Sequence, residues 1–193
     1  MQVSCHRKNN LSYAVIDNYF DSFEEVLAEA KDLRRLAYQP EYTSSAKNED
    51  GTHKKTGTGL FLDDLYTDRR EASPILCGNR RLFDSRLTTK LEEFDACFGF
   101  ISKSNRDTTL LNYYSPNQIY EAHKDEVQIT VVSLLGWGDF SGGGLCFPEH
   151  DIKVEFKQNR AIVFLSCVSH ASEPLTGNED CCRVSIAHFI TSN

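Results

Sequence analysis

The chain changes texture near Gly99, and that change most narrows what it can fold into. After it, six short runs at 108–114, 127–135, 145–147, 152–156, 161–165 and 182–190 are β-branched or aromatic and are punctuated by Gly, Pro, Asn or Asp. Before it, apolar residues recur at helical spacing. Ser22 with Glu25 forms a capping-box signature ahead of Phe23, Val26, Leu27, Ala30, Leu33 and Leu36, and Pro40 closes that helix. A short strand at 13–16 precedes it, and a second helical stretch runs from about Ser73 to Phe98. Helices first and an antiparallel strand series afterwards specify an α+β protein. The natural home for so many short strands is a jelly roll, a double-stranded β-helix core with N-terminal helices packed on one sheet. At 193 residues one domain is expected: residues 1–100 as a helical support layer with a lid loop, and residues 101–193 as the core. The polar, aperiodic stretch 41–59 reads as a long surface loop or lid, the functional reading being favoured because structureless loops of this length are uncommon in compact domains, with disorder the alternative.

Charge and cysteine usage exclude several classes. A net charge of −7 supplies no global basic field for nucleic acid. A local patch is still available from Arg69, Arg70, Arg80, Arg81 and Arg86, although a solvated helix face explains the same residues. The seven cysteines form no paired framework and include no Cys-x-x-Cys, which points away from zinc and toward a reducing, cytoplasmic setting. No run of roughly 18 apolar residues suggests a membrane span, and the N-terminus lacks the apolar stretch of a signal peptide.

His123-Lys124-Asp125, followed by His170 and then by Arg183 on an apolar strand, carries the chemistry. Two imidazoles and one carboxylate suit a non-haem Fe(II) with open coordination positions. In an extended strand residues two apart share a face, so His123 and Asp125 are expected to project together while Lys124 turns away. His170 follows the buried run 161–165. His150 and His188 are competing ligands, the first in a turn and the second near the C-terminal edge; His6 and His53 read as polar or loop residues. A guanidinium flanked by Cys182, Val184 and Ile186 needs a buried partner or an exposed face.

The order of these segments resembles the Fe(II)/2-oxoglutarate-dependent dioxygenases of the prolyl-4-hydroxylase-like group. Residues 112–125 look like that family's strand, turn and metal-binding strand, and Gly142-Gly143-Gly144-Leu145-Cys146-Phe147 looks like its Gly-Gly-x-Leu hairpin. His170 to Gly177 resembles its segment around the second metal histidine, and Arg183-Val184-Ser185 its cosubstrate strand; together the likeness spans about residues 108–190. It implies His123, Asp125 and His170 as catalytic metal ligands, with Arg183, Ser185 and Tyr114 (or Tyr113) around the cosubstrate. It also implies Fe(II), 2-oxoglutarate and O₂ as the cofactor set. Retention of Asp125 favours hydroxylation over halogenation.

Two departures from the family pattern stand out. Gln158-Asn159-Arg160 replaces a Gly-containing turn, which Asn can satisfy in the left-handed region, and the stretch from His170 to Arg183 is a few residues long, the excess at 178–181. The expected reaction is hydroxylation of an unactivated C–H in a protein or peptide side chain or a free amino acid. Residues 144–152 also resemble the thymine- and methylcytosine-oxidising branch, which makes a nucleobase the alternative substrate; a catalytically idle binding module is the third reading. Trp137 could line the site mouth or act as a packing plug. No oligomeric state is implied.

Overall fold

A computed structural model describes residues 1–192. Along the chain β1 (Gln2–Lys8) and β2 (Leu11–Asp17) lead into α1 (Phe23–Leu33), α2 (Pro40–Thr43), β3 (Thr58–Phe61) and α3 (Leu62–Leu65). Next come α4 (Pro74–Asn79), α5 (Ser85–Phe94) and α6 (Phe100–Lys103). The remainder is β: β4 (Arg106–Tyr114), β5 (Tyr120–His123), β6 (Ile129–Trp137), β7 (Phe140–Gly142), β8 (Leu145–Phe147), β9 (Ile152–Val154), β10 (Arg160–Leu165), β11 (His170–Ser172), β12 (Leu175–Gly177) and β13 (Cys182–Thr191).

These strands build the expected double-stranded β-helix. A seven-stranded antiparallel sheet runs β1-β2-β10-β6-β13-β4-β3, and a four-stranded sheet, β5-β11-β8-β9, faces it; β12 and β7 form a separate pair. Period-two alternation assigns the two faces of the large sheet. Val131, Leu135, Ala161, Val163, Val184 and Ile186 turn outward and pack against Val26, Ala30 and Leu33 of α1, Ile75 and Leu76 of α4, and Leu87 and Leu91 of α5. Val132, Leu134, Ile162 and Phe164 turn inward against Leu145, Phe147, Ile152 and Val154 of the small sheet. Burial on both faces explains why β6 and β10 read as continuous apolar runs.

The N-terminal hundred residues are more than a helical layer, since β1, β2 and β3 supply three of the seven strands of the large sheet. The β1–β2 hairpin turns through Asn9 and Asn10, both at positive φ, and β1 escaped sequence reading because Gln2–Lys8 is an edge strand whose apolar face is only Val3 and Cys5, both partly buried. Pro40 opens α2 at its first turn instead of closing α1, which ends at Leu33 in a short 3₁₀ segment. Ser22 caps α1 only through its backbone carbonyl. Residues 41–59 are tied down by α2, by bridges pairing Lys47 with His53 and Lys55 with Tyr120, and by β3.

Asn159 does adopt the left-handed conformation, at φ 58°. Its side chain also accepts from the Phe20 N–H at 2.7 Å and donates to the Phe20 carbonyl at 2.9 Å, bonds that glycine could not make. All seven cysteines are free thiols. Among the described residues no helix is long and apolar enough to cross a membrane.

Candidate active site

The cavity that holds the sequence-predicted residues lies between the two sheets and has a volume of about 440 Å³. His123 and His170 meet because β5 and β11 pair with these two residues directly opposite each other. Asp125 arrives differently from the strand expectation. Strand β5 ends at His123, and Asp125 lies beyond it, held by its N–H to the Ser166 carbonyl at 3.0 Å. Its carboxylate accepts from the Thr130 hydroxyl at 2.7 Å, and that hydroxyl is in turn 2.8 Å from Ser166 Oγ. One ligand-capable atom from each of His123, Asp125 and His170 falls within 4.8 Å of the others.

The protonation pattern suits a cation. His123 Nδ1 lies 2.8 Å from the Glu121 carbonyl and His170 Nδ1 lies 3.0 Å from the Val168 carbonyl. A carbonyl only accepts, so each Nδ1 carries a hydrogen and each Nε2 is the ring atom turned to Asp125, at 3.7 and 3.4 Å. Burial, reinforced by the charge of His170, pushes His123 down to about 3, so the imidazole is neutral at physiological pH. Burial raises Asp125, opposed by His170 and by the Thr130 hydrogen bond. Tyr120 stacks on His123 with ring centroids 3.5 Å apart, and its hydroxyl meets Ser44 Oγ at 2.7 Å.

Arg183 and Ser185 sit on β13 two positions apart and line the same cavity, as does Tyr114, the direct partner of Arg183 on β4. The Tyr113 alternative is resolved: that side chain turns to the helices, where its hydroxyl donates to the Ala30 carbonyl at 2.7 Å. Arg183 is 1% exposed, with its guanidinium 4.8 Å from the Tyr114 ring centre, yet its Nε and Nη1 have no hydrogen-bond partner. Buried guanidinium donors without partners are costly, and an anion is the group that satisfies them. The donor set and this orphaned fork therefore fit an Fe(II) ion and a dicarboxylic 2-oxo acid.

The competing histidines lie elsewhere. His188 points from β13 toward the helices and bonds Asp107 at 2.9 Å, His150 Nδ1 is 2.8 Å from the Asn9 carbonyl, and His6 stacks on Tyr13. Trp137 is a packing plug against the helical core, with Lys31 and Arg34 over its ring. The arginine patch is a mixed-charge groove that shares no residue with the cavity. There Arg70 pairs with Asp63 and Asp107, and Arg81 with Asp21. Sequence reading missed Thr130, Ser166, Tyr120, Asn112 and Thr43. The one available signal was a hydroxyl inside the apolar strand at Thr130; the others depend on which chain segments meet.

Comparison with known proteins agrees with this geometry. Residues 108–191 match the family described as the 2OG-Fe(II) oxygenase superfamily. No curated protein matches the chain. Among solved structures, a Pseudomonas putida prolyl-4-hydroxylase is similar at 16% identity and TM-score 0.59, over 94% of this chain and 92% of that one. A Trichoplax adhaerens prolyl hydroxylase in complex with a hypoxia inducible factor oxygen degradation domain peptide fragment aligns at 18% identity and TM-score 0.60, over 93% and 83%. A 2OG-Fe(II) oxygenase family oxidoreductase from Burkholderia pseudomallei gives 18% and 0.57, over 93% and 84%. Residues 108–191 thus match a family whose members use Fe(II), 2-oxoglutarate and O₂, and the chain built around them has the fold of the solved prolyl hydroxylases.

Proposed function

We propose that this chain is a single-domain hydroxylase acting on an unactivated C–H of a peptide or protein side chain or a free amino acid, with 2-oxoglutarate converted to succinate and CO₂. His123, Asp125 and His170 would hold Fe(II), and Arg183 would grip the distal carboxylate of 2-oxoglutarate with Ser185 and Tyr114 beside it. The observation that carries this reading is the pair of unpartnered donors on buried Arg183, placed in the same cavity as the three ligand side chains. Bound iron supplies the activation of O₂ that oxidises the substrate. The protein's part is positional. Backbone carbonyls fix both imidazole tautomers, Thr130 orients the Asp125 carboxylate, and the apolar walls Leu110, Val132 and Leu145 limit water.

A peptide or amino acid is favoured over a nucleobase because one wall of the cavity is Glu41, Tyr42, Thr43, Ser44 and Ser45, an acidic and hydroxyl-bearing stretch that does not suit a phosphate backbone. A neighbouring fold that holds a peptide adds support. An idle binding module has no use for the unsatisfied Arg183 fork. Seven free thiols support a cytoplasmic setting. Anaerobic titration of the protein with Fe(II) and 2-oxoglutarate should produce the weak visible charge-transfer band of the chelate. No band in the wild type, or an undiminished band in His170→Ala, refutes the assignment. Succinate release with amino acids, peptides and single-stranded DNA then selects the substrate, and stimulation by DNA alone would overturn the peptide or amino-acid reading.

A further inference from the structure

Lys55 has a burial that the proposed chemistry does not use. Its side chain is 1% exposed, among the described residues it makes no ion pair, and its one hydrogen bond is donated to Thr43 Oγ1 at 2.8 Å. The amine lies on the cavity side of the large sheet. A Cβ at Gly59 would come 2.6 Å from Nζ, so glycine at 59 is what makes room for it. Gly59 pairs across the ladder with Asn112, whose side chain lines the cavity, is 3% exposed, and leaves Oδ1 without a partner. Burial alone pushes Lys55 down to about 7, and its charged neighbours offer no relief: Lys54 is another cation, and Glu41 on α2 faces the cavity without pairing with Nζ.

Thr43 is the exit from this arrangement. Its hydroxyl accepts from the ammonium, and its only other contact is a long 3.5 Å approach to the Gln39 carbonyl. A hydroxyl whose lone pair is taken by an ammonium has its hydrogen left to give and is a better donor for the charge behind it. Thr43 lines the cavity, on the same wall as Ser44, which reaches Tyr120 and through it the His123 ring. We propose that Thr43, polarised by Lys55 behind it, is the specificity-determining contact for a carboxylate carried by the substrate. This rests on the oxygenase reading above and narrows its substrate class to compounds bearing a carboxylate besides that of 2-oxoglutarate. Thr43 touches the substrate; Lys55 is a positioning residue that supplies the missing charge.

The test is calorimetric binding to the anaerobic protein loaded with Fe(II) and 2-oxoglutarate. The probes are the free L-amino acids and short peptides with free C-termini, each paired with its C-terminal carboxamide. The expected result is a free acid that binds about tenfold or more tightly than its amide, the size of one hydrogen bond to a charged group. Whether that acid is an amino acid or a peptide identifies the source of the carboxylate. Thr43→Val, isosteric but without the hydroxyl, should erase the preference, Thr43→Ser should restore it, and Lys55→Met should lower acid affinity while leaving the amide unchanged. Equal binding of acid and amide to the wild type, no binding of any acid at millimolar concentration, or a preference that survives Thr43→Val overturns the proposal. The wild-type comparison needs no variant to fold. If the charge-transfer band is present and the preference absent, only the carboxylate subsite fails; if the band is absent, the oxygenase reading itself fails.

Discussion

Replacing Arg183 by Met separates binding from folding in a way that few substitutions here would. Two donors of the buried guanidinium, Nε and Nη1, are unpaired in the protein alone, so a bound carboxylate gains up to two charge-assisted hydrogen bonds. At about 1.5–3 kcal/mol each they amount to about 3–6 kcal/mol, which corresponds to a loss in 2-oxoglutarate affinity of about 10²- to 10⁴-fold in Arg183→Met. The same substitution removes a buried charge without an ion-pair partner, offset by the loss of the guanidinium's contacts with Tyr114, its ring at 4.8 Å and its hydroxyl. Exchanging buried charge for apolar volume is often neutral or stabilising, so the cosubstrate-free protein should keep its urea midpoint or raise it. The assay is a paired measurement: 2-oxoglutarate titration of the charge-transfer band under anaerobic conditions, and urea unfolding without cosubstrate. Cosubstrate affinity within fivefold of wild type would refute the anchoring role. A destabilisation of more than about 3 kcal/mol would show that Arg183 is held by structural partners and is not waiting for a ligand. Arg183→Lys keeps the charge but loses the fork, so it should fall between wild type and Met.

Gly143 sits at φ 73°, where an added Cβ would lie 3.3 Å from Arg183 Cγ; Gly143→Ala should cost about 1–2 kcal/mol in urea unfolding and also weaken 2-oxoglutarate binding by displacing the arginine stem. Asn159→Ala loses both the left-handed preference and two bonds to Phe20, and should destabilise by about 2–4 kcal/mol, whereas Asn159→Gly should recover part of that loss. Asp17 is lowered to about 2, first by its hydrogen bond from Arg160 and then by Lys157. A depressed carboxylate contributes stability that is complete above its unfolded value near 4 and is lost as pH falls through about 2, so wild type should lose about 2 kcal/mol across that window relative to Asp17→Asn. Parallel acid limbs for the two proteins would contradict the assignment.

The proposed iron-ligand set was legible because each residue carries its chemistry in its type, and because the order of His123, Asp125, His170 and Arg183 along the strand series is itself informative. Strand alternation alone does not bring His123 and Asp125 together. An alternating strand would place them on one face, but β5 stops at His123, and the carboxylate is turned inward by Ser166 and Thr130, which belong to other parts of the chain. The same limit explains Lys55. As a polar residue in a polar stretch it looks solvent-bound, and only the close approach of Gly59 and Thr43 shows it buried.

By itself, then, the amino-acid sequence determined the fold class, the two-faced burial of the central strands, the ligand types and the turn at Asn159, because these follow from local preferences and from period-two patterning. Tertiary structure decided what depends on non-local register. It placed β1 on the edge of the large sheet and chose Tyr114 over Tyr113. It sent Trp137 and His188 to the helical side and left the Arg183 fork without a partner. Each of these turns on which strand lies opposite which, and that is set by the packing of the two sheets, not by the residues flanking the position.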